Sequence, residues 1–273
     1  SCAATTAGGL LGSFGTHGKP FHAGKAAMDG ILAADLAQNG LLGSTRLYET
    51  EGGWLDAFLA GQTVAVPPLD FETRWELLRN GYKLLASCRG THASAQTARA
   101  IFPQLKGRAI RQVVASIHPG ALVTAGIDTP RSPLEAKFSI RFCIAMALSG
   151  YALAAGDFTP DLTQDPTLSA LLPLIHLQPV EGQSPASAHI RVTLDDSTVV
   201  EGHTDVIVGH PDNPASDAIL NDKFLNLVGL VVGERKAHAL AHTAWNFGQP
   251  GTLTTLGQLL GDSTENPDTA APP

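Results

Sequence analysis

Helix-forming and strand-forming stretches are segregated along this chain, and that order limits the possible folds most. Helical patterns fill residues 1–62, a mixed strand-and-helix block follows, and helices return from Ser216 onward. Regular βα alternation would indicate a doubly wound parallel sheet. Segregation argues instead for an α+β protein with an all-helical region. The simplest architecture inserts the middle block between two parts of one helical domain. The expected divisions are residues 1–62 (helical, first part), 69–209 (a smaller α+β domain), 216–261 (helical, C-terminal part) and a Pro/Ala/Asp/Thr tail, 262–273, that reads as disordered.

Local signals fill in this plan. Ala3 to Phe14 reads as a small-residue helix. Phe21–Asn39 reads as a buried helix, with Met28, Ile31, Leu32 and Leu36 at helical spacing. Glu51–Leu59 is a short amphipathic helix, and Gly61–Asp70, with Pro67-Pro68, is a domain boundary. Tyr82–Ala86 reads as a strand, and Thr91–Phe102 as a helix ended by Pro103. Ala109–Ile117 is the clearest strand by β-branched content. Ser132-Pro133-Leu134-Glu135 announces one helix, Leu134–Ser149, with Ser132 as N-cap and Glu135 closing a capping box. Asp165-Pro166 opens a short helix to Leu174. Ala188–Leu194 and Thr198–Asp205 form a hairpin around Asp195-Asp196-Ser197. Helices Asp217–Val232, Glu234–Phe247 and Leu253–Leu260 close the pattern.

Composition excludes several functions. With 273 residues, 44% hydrophobic and 16% charged, a sizeable core is within reach. A net charge of −7 argues against a nucleic-acid surface. Cys2, Cys88 and Cys143 show no CxxC spacing, which suggests neither a zinc site nor a disulfide framework and fits a reducing, cytoplasmic setting. The longest apolar run, Phe138–Leu148, is interrupted by Arg141 and is too short to span a bilayer. The start carries no signal peptide and no initiator Met, so the chain reads as a piece of a longer protein.

The chemistry-bearing stretch is Gly15–Ala27, GTHGKPFHAGKAA, which places Lys19, His22 and Lys25 where a helix begins. Lys19 is expected at the mouth of a buried helix, where a cation can meet an anionic substrate; a solvated loop lysine is the plainer alternative. Gly12 to Lys19 imitates a phosphate loop but fails as one: five residues separate Gly12 from Gly18, and Pro20 stands where a hydroxyl would hold magnesium. A second set, YKLLASCRGTH, carries Lys83, Cys88 and His92. Cys88 reads more simply as a packing residue than as a nucleophile. His238 and His242 share one helix face, but Ala239 replaces the Glu of a metalloprotease motif and no third ligand is in view. His118, His210, Asp212 and Asn213 read as turn chemistry. Lys137 and Ser139 could face a site or solvent.

Four stretches in this order resemble the MmgE/PrpD family. GTHGKPFHAGKAAMDGILAADLAQNG is similar to its Lys–His helix, and YKLLASCRGTH to its Lys-x4-Cys-x3-His segment. SPLEAKFSIRFCIAMALSG is similar to its core helix, and VTLDDSTVVEGHTDVIVGHPDNPASDAILNDKF to its last hairpin leading into C-terminal helices. The resemblance implies a helical domain plus a smaller α+β lid, a small di- or tricarboxylate substrate, no metal or organic cofactor, and a homodimer. It implies site roles for Lys19, Lys83, His22 and His92. Lys19 and Lys83 would bind substrate carboxylates from opposite sides of a cleft, while His22 or His92 assists proton transfer. Among the family's reactions, a 2-methylcitrate dehydratase-like one is expected; the site tyrosine of the decarboxylase branch has no match between Ile117 and Ser132, which weakens a decarboxylase reading without selecting between a dehydratase and an epimerase. The family's helical domain begins well before the equivalent of Ser1 and supplies further acidic and histidine groups there. A split or non-catalytic subunit needing a helical partner is therefore the first alternative, and a metal-binding module on His238 and His242 the second.

Overall fold

The structure, a computed structural model, describes residues 1–48, 50–60, 62, 70, 72, 73 and 75–261. The expected boundary at Gly61–Asp70 and the tail beyond Gly261 fall almost wholly outside the described residues. The chain divides into two compact units. The first comprises Ser1–Arg79 and Ser87–Asp205, and the second Asn80–Ala86 with the chain from Val206 onward.

The first unit opens with α1 (Cys2–Thr5), α2 (Gly18–Gln38) and α3 (Trp54–Leu59). The predicted Ala3–Phe14 helix is instead α1 followed by an extended stretch and a single 3₁₀ turn, Leu11–Ser13, because Gly8 and Gly9 interrupt it. Helix α2 forms as expected but is not buried: only Ala33 is buried, while Phe21, Met28 and Ile31 are 62%, 57% and 68% exposed. Its alanines and glycines give it no single apolar stripe wide enough to commit to a core.

Then come α4 (Arg89–Leu105), β1 (Ile110–Ile117), α5 (Pro119–Ala125), α6 (Pro133–Ala136), α7 (Ile140–Leu148), α8 (Pro160–Thr163), α9 (Pro166–Leu171), β2 (Ile175–Pro179), β3 (Ala188–Leu194) and β4 (Val199–Thr204). The sheet order is β2-β1-β3-β4, with β1 and β2 parallel and the other pairs antiparallel. The sequence does not predict strand β2: its IHLQP is short, follows Pro173 closely, ends on Pro179 and pairs along one side only. Alternation along β1 and β3 buries Val113, Ala115, Ile117, Ala188, Ile190 and Val192 on one face. Helix α4 packs against α7, β3 and β4. The Thr97 hydroxyl shares a hydrogen bond of 2.8 Å with the Thr204 hydroxyl and lies 3.5 Å from Ala188 O, tying helix to sheet. Pro103 does not end α4; it occupies the last turn, and Lys106 closes the helix in the left-handed conformation.

The expected Leu134–Ser149 helix is two helices. Ser132 caps α6, accepting from Glu135 N at 3.2 Å, but the Glu135 carboxylate reaches back to Arg131 N at 2.7 Å rather than completing the capping box. Ser139 then caps α7, accepting from Phe142 N at 3.2 Å. A serine hydroxyl competing for a backbone N–H favours a new start over continuation. Asp165 caps α9 in the same way, and the Leu168 and Thr167 N–H groups hold its carboxyl below the usual range.

The second unit contains α10 (Asp217–Val232), α11 (Glu234–Trp245) and α12 (Thr252–Gly261), close to the expected bounds. Tyr82–Ala86 is not a strand. Tyr82 N donates to Gly209 O at 2.7 Å, and Gly209 has φ +90° beside the His210–Asn213 turn, not in an extended strand. No helix among the described residues is long and apolar enough to cross a membrane.

Gly202 marks the tightest helix-on-sheet contact: a Cβ there would lie 2.5 Å from Ile101 Cγ2, and Ile101 is itself buried. Gly202→Ala should destabilise the protein by about 1–3 kcal/mol, as overpacked cores do. Urea unfolding measures this, and an unchanged midpoint would show that α4 has room to move off β4.

Candidate functional site

The segment before α2 is shaped by glycine. Gly15 is buried at φ +80°, and a Cβ on it would lie 3.0 Å from Ile127 Cδ1. The turn therefore lies directly against the loop after α5. Thr16 steadies it, its hydroxyl donating to Ser13 O at 2.7 Å and accepting from Gly18 N at 3.1 Å. Phe14 is thereby brought against Phe138, with ring centroids 5.8 Å apart and planes inclined by 49°.

Lys19, one residue into α2, lays its ammonium over both rings, 5.3 Å from the Phe14 centroid and 5.5 Å from that of Phe138. The residue is half-buried and has no carboxylate partner among the described residues. Its neighbour Lys25 differs: it is paired with Asp29 and donates to Thr6 O at 3.0 Å. Lys19 is thus a cation held by ring faces, with no ion-pair partner among the described residues, at the positive end of a helix of 21 residues. All three features favour an incoming anion. His22, half-buried one turn further on, packs beside Gly9, whose Cβ would lie 3.2 Å from its Nδ1.

Phe138 reaches this place because of the break between α6 and α7. Ile127 N donates to Phe138 O at 3.2 Å, and Ser139 bridges Gly126. The same break carries the Cys88–His92 segment, because Cys88 N donates to Lys137 O at 2.8 Å. His92 is fully buried in the first turns of α4, with Nε2 3.4 Å from Ser87 O. Ser87 and Thr91 share a hydroxyl hydrogen bond of 2.7 Å, and Thr91 also donates to Cys88 O at 2.9 Å. Behind them lies Cys143, whose thiol is pushed up to about 12 by burial. Cys88 is half-buried, its Sγ 3.6 Å from Thr124 O.

Of the four expected site residues, Lys19 and His92 are thus both tied to the Lys137–Ser139 break, one through the Phe138 ring and the other through Ser87, Cys88 and Lys137. His22 follows Lys19 on α2. Lys83 belongs to the second unit, is exposed, and has its backbone carbonyl hydrogen-bonded by the Lys223 ammonium. Phe14 and Phe138 were not anticipated. Each is an ordinary apolar residue in the sequence, and only a contact across 124 positions gives the pair a role.

The other histidines take plainer places. His118 caps α5, its Nδ1 accepting from Gly120 N at 2.9 Å, and His210 Nδ1 accepts from Asp212 N at 3.2 Å, as turn residues do. His238 and His242 are exposed on α11, and no group of three or more metal-ligating side chains occurs among the described residues.

Two family models match the chain: the MmgE/PrpD N-terminal domain over residues 1–67 and the MmgE/PrpD C-terminal domain over residues 85–248. The chain is similar to cis-aconitate decarboxylase of Homo sapiens, 27% identical over 235 residues, which is 81% of this chain and 48% of that protein. The Mus musculus cis-aconitate decarboxylase is 27% identical over 240 residues, with the same shares. The chain therefore spans about half the length of the curated relatives it matches.

The three thiols should separate cleanly. Iodoacetamide at pH 8 should label Cys2 and Cys88 in the folded protein and leave Cys143 unlabelled until denaturant is added, as read by peptide mass spectrometry. The raised Cys143 value also fixes a pH direction. Its contribution to stability is complete below the unfolded thiol's pKa of about 8.5 and is lost as pH rises toward about 12. Cys143→Ala should flatten the fall of the unfolding midpoint above pH 9.

Proposed function

This chain belongs to the MmgE/PrpD family, and we propose that it serves a lyase acting on a small di- or tricarboxylate by proton transfer at a carbon next to a carboxylate. The observation that carries this reading is the Lys19 ammonium, half-buried on two aromatic faces with no counter-charge among the described residues. A carboxylate substrate supplies that counter-charge.

In the proposed reaction a base removes the proton from the carbon next to a carboxylate. Negative charge spreads into that carboxylate, and hydroxide leaves the neighbouring carbon as water once protonated. The difficult moment is the charge on the carboxylate. A fixed ammonium in a partly dry setting stabilises it more than water can, because it needs no reorganisation when the charge develops. Lys19 takes this role, and Lys83, on the second unit, is the further lysine that the family resemblance implies. His22, the more accessible imidazole, moves the proton. His92, sealed inside the α4 turn, acts by holding the Ser87–Cys88 backbone. The finer assignment is a 2-methylcitrate dehydratase-like hydro-lyase acting as a homodimer. The cis-aconitate decarboxylases among the relatives make carbon dioxide release the competing outcome.

The uncovered apolar side chains favour a second reading. Phe21, Met28 and Ile31 on α2, and Leu230 and Val231 on α10 at 72% and 61% exposed, suit a subunit that works with a separate helical partner. Light scattering and turnover with and without co-expressed chains separate the two readings. A stable, active assembly of this chain alone removes the second.

Purified protein should be offered 2-methylcitrate and cis-aconitate, with products followed by proton NMR. Lys19→Ala and Lys83→Ala should each lower kcat/KM by about 100-fold or more, the scale on which loss of a single charge-stabilising group is felt. Lys106→Ala, an exposed lysine elsewhere, should leave it unchanged. Near-native rates in both variants would end the lysine assignment. Turnover of neither acid would end the substrate assignment.

A further inference from the structure

We infer that Phe14 and Phe138 are positioning residues that aim the Lys19 ammonium at the substrate carboxylate. This rests on the role proposed for Lys19 and extends it to two side chains that need not touch the substrate themselves.

A lysine side chain has four rotatable carbon–carbon bonds, and a free one samples many directions. Here the ammonium lies over two ring faces, at 5.3 and 5.5 Å from their centroids, and the rings meet each other at 5.8 Å. A ring face attracts a cation through its quadrupole without neutralising it. The lysine is thus ordered in advance and stays available to an anion, whereas an ion pair such as Lys25–Asp29 uses up the charge. Ordering before binding removes an entropic cost that would otherwise weaken the complex. The rings also wall off water on their side, which strengthens attraction toward the open side.

The two rings come from different places. Phe14 stands in the glycine turn before α2, and Phe138, only 7% exposed, stands in the gap between α6 and α7. The direction of Lys19 therefore depends on the docking of the two segments. Gly15 controls that docking, since any Cβ there presses on Ile127.

The test needs no turnover. Citrate, a stable tricarboxylate, serves as the probe, and its affinity is measured by calorimetry on the full chain. Reductive ¹³C-methylation reports the Lys19 amine by NMR, assigned by its loss in Lys19→Ala. In the native protein its methyl signal should be shifted upfield by ring currents and should move on citrate addition. Phe14→Leu and Phe138→Leu keep apolar volume and remove the ring face. Each should return the signal toward the free-lysine position and weaken citrate binding about tenfold, while Phe14→Tyr and Phe138→Tyr should keep both. Should Phe138→Leu fail to fold, Phe14→Leu, at a half-buried site, carries the test alone.

Folded Leu variants with native Lys19 shift and native citrate affinity would overturn the inference while Lys19→Ala still loses binding, leaving the role of Lys19 standing. Undiminished citrate binding in Lys19→Ala would overturn both together.

Discussion

Ser139 stops a run of helix-favouring residues and starts it again, and the surroundings of Lys19 depend on that stop. Its hydroxyl accepts from Phe142 N, so α7 begins afresh instead of continuing α6. The three residues left between the helices each gain a role that a continuous helix would deny them. Lys137 offers its carbonyl to Cys88 N, and Phe138 offers its carbonyl to Ile127 and its ring to Lys19. Ser139 itself is fully buried, where an unpaired hydroxyl would be costly, so the cap is strongly held. One side-chain hydrogen bond, worth about 1 kcal/mol as a cap, thus decides the position of an aromatic ring, a lysine and the start of α4.

The buried polar row behind that gap follows the same logic. Ser87, Thr91 and His92 are nearly or wholly inaccessible, yet their hydroxyls are paired with each other and with Cys88 O, and the His92 ring lies against Ser87 O. Pairing makes such burial tolerable and leaves the segment stiff. A stiff Ser87–His92 segment anchored to Lys137 and a stiff Gly15 turn anchored to Ile127 meet the same short loop system from two sides. Rigid supports of this kind let one charged side chain hold a direction, which is what electrostatic stabilisation of a developing charge requires.

Sequence made much of this legible where the signal was local. The α+β class, strand β1, the β3–β4 hairpin, Ser132 as a cap and the bounds of α10 all follow from patterns within a few residues. Failures came where distant contacts decide. Tyr82–Ala86 has strand composition, but its neighbour is a turn at Gly209 and not an extended chain. Strand β2 has little strand composition but finds β1 beside it. The spacing on α2 promised burial, yet Phe21, Met28 and Ile31 stay exposed, since spacing states which residues share a face and not what lies opposite. At the candidate site, the family resemblance pointed to Lys19, whose own residues read more plainly as a loop lysine, whereas nothing pointed to Phe14 and Phe138. An aromatic residue announces only that it wants burial, and its partner lies more than a hundred positions away.

The contrast between Lys19 and Lys25 shows why these two rings matter more than the number of nearby charges. Lys19 stands in the first turn of α2 and Lys25 further along it, and both are half-buried. Lys25 has Asp29 one turn away and Thr6 O within reach, so an arriving anion must compete with partners already in place. Lys19 has Phe14 and Phe138, which steady a cation without competing for its hydrogen-bond donors in the way a carboxylate does. The difference arises from sequence spacing as well as from folding. An aspartate four residues after Lys25 falls on the same helix face, while four residues after Lys19 stands Ala23. The chain therefore presents one neutralised lysine and one whose charge is held in readiness, and the second sits where the helix dipole adds to it.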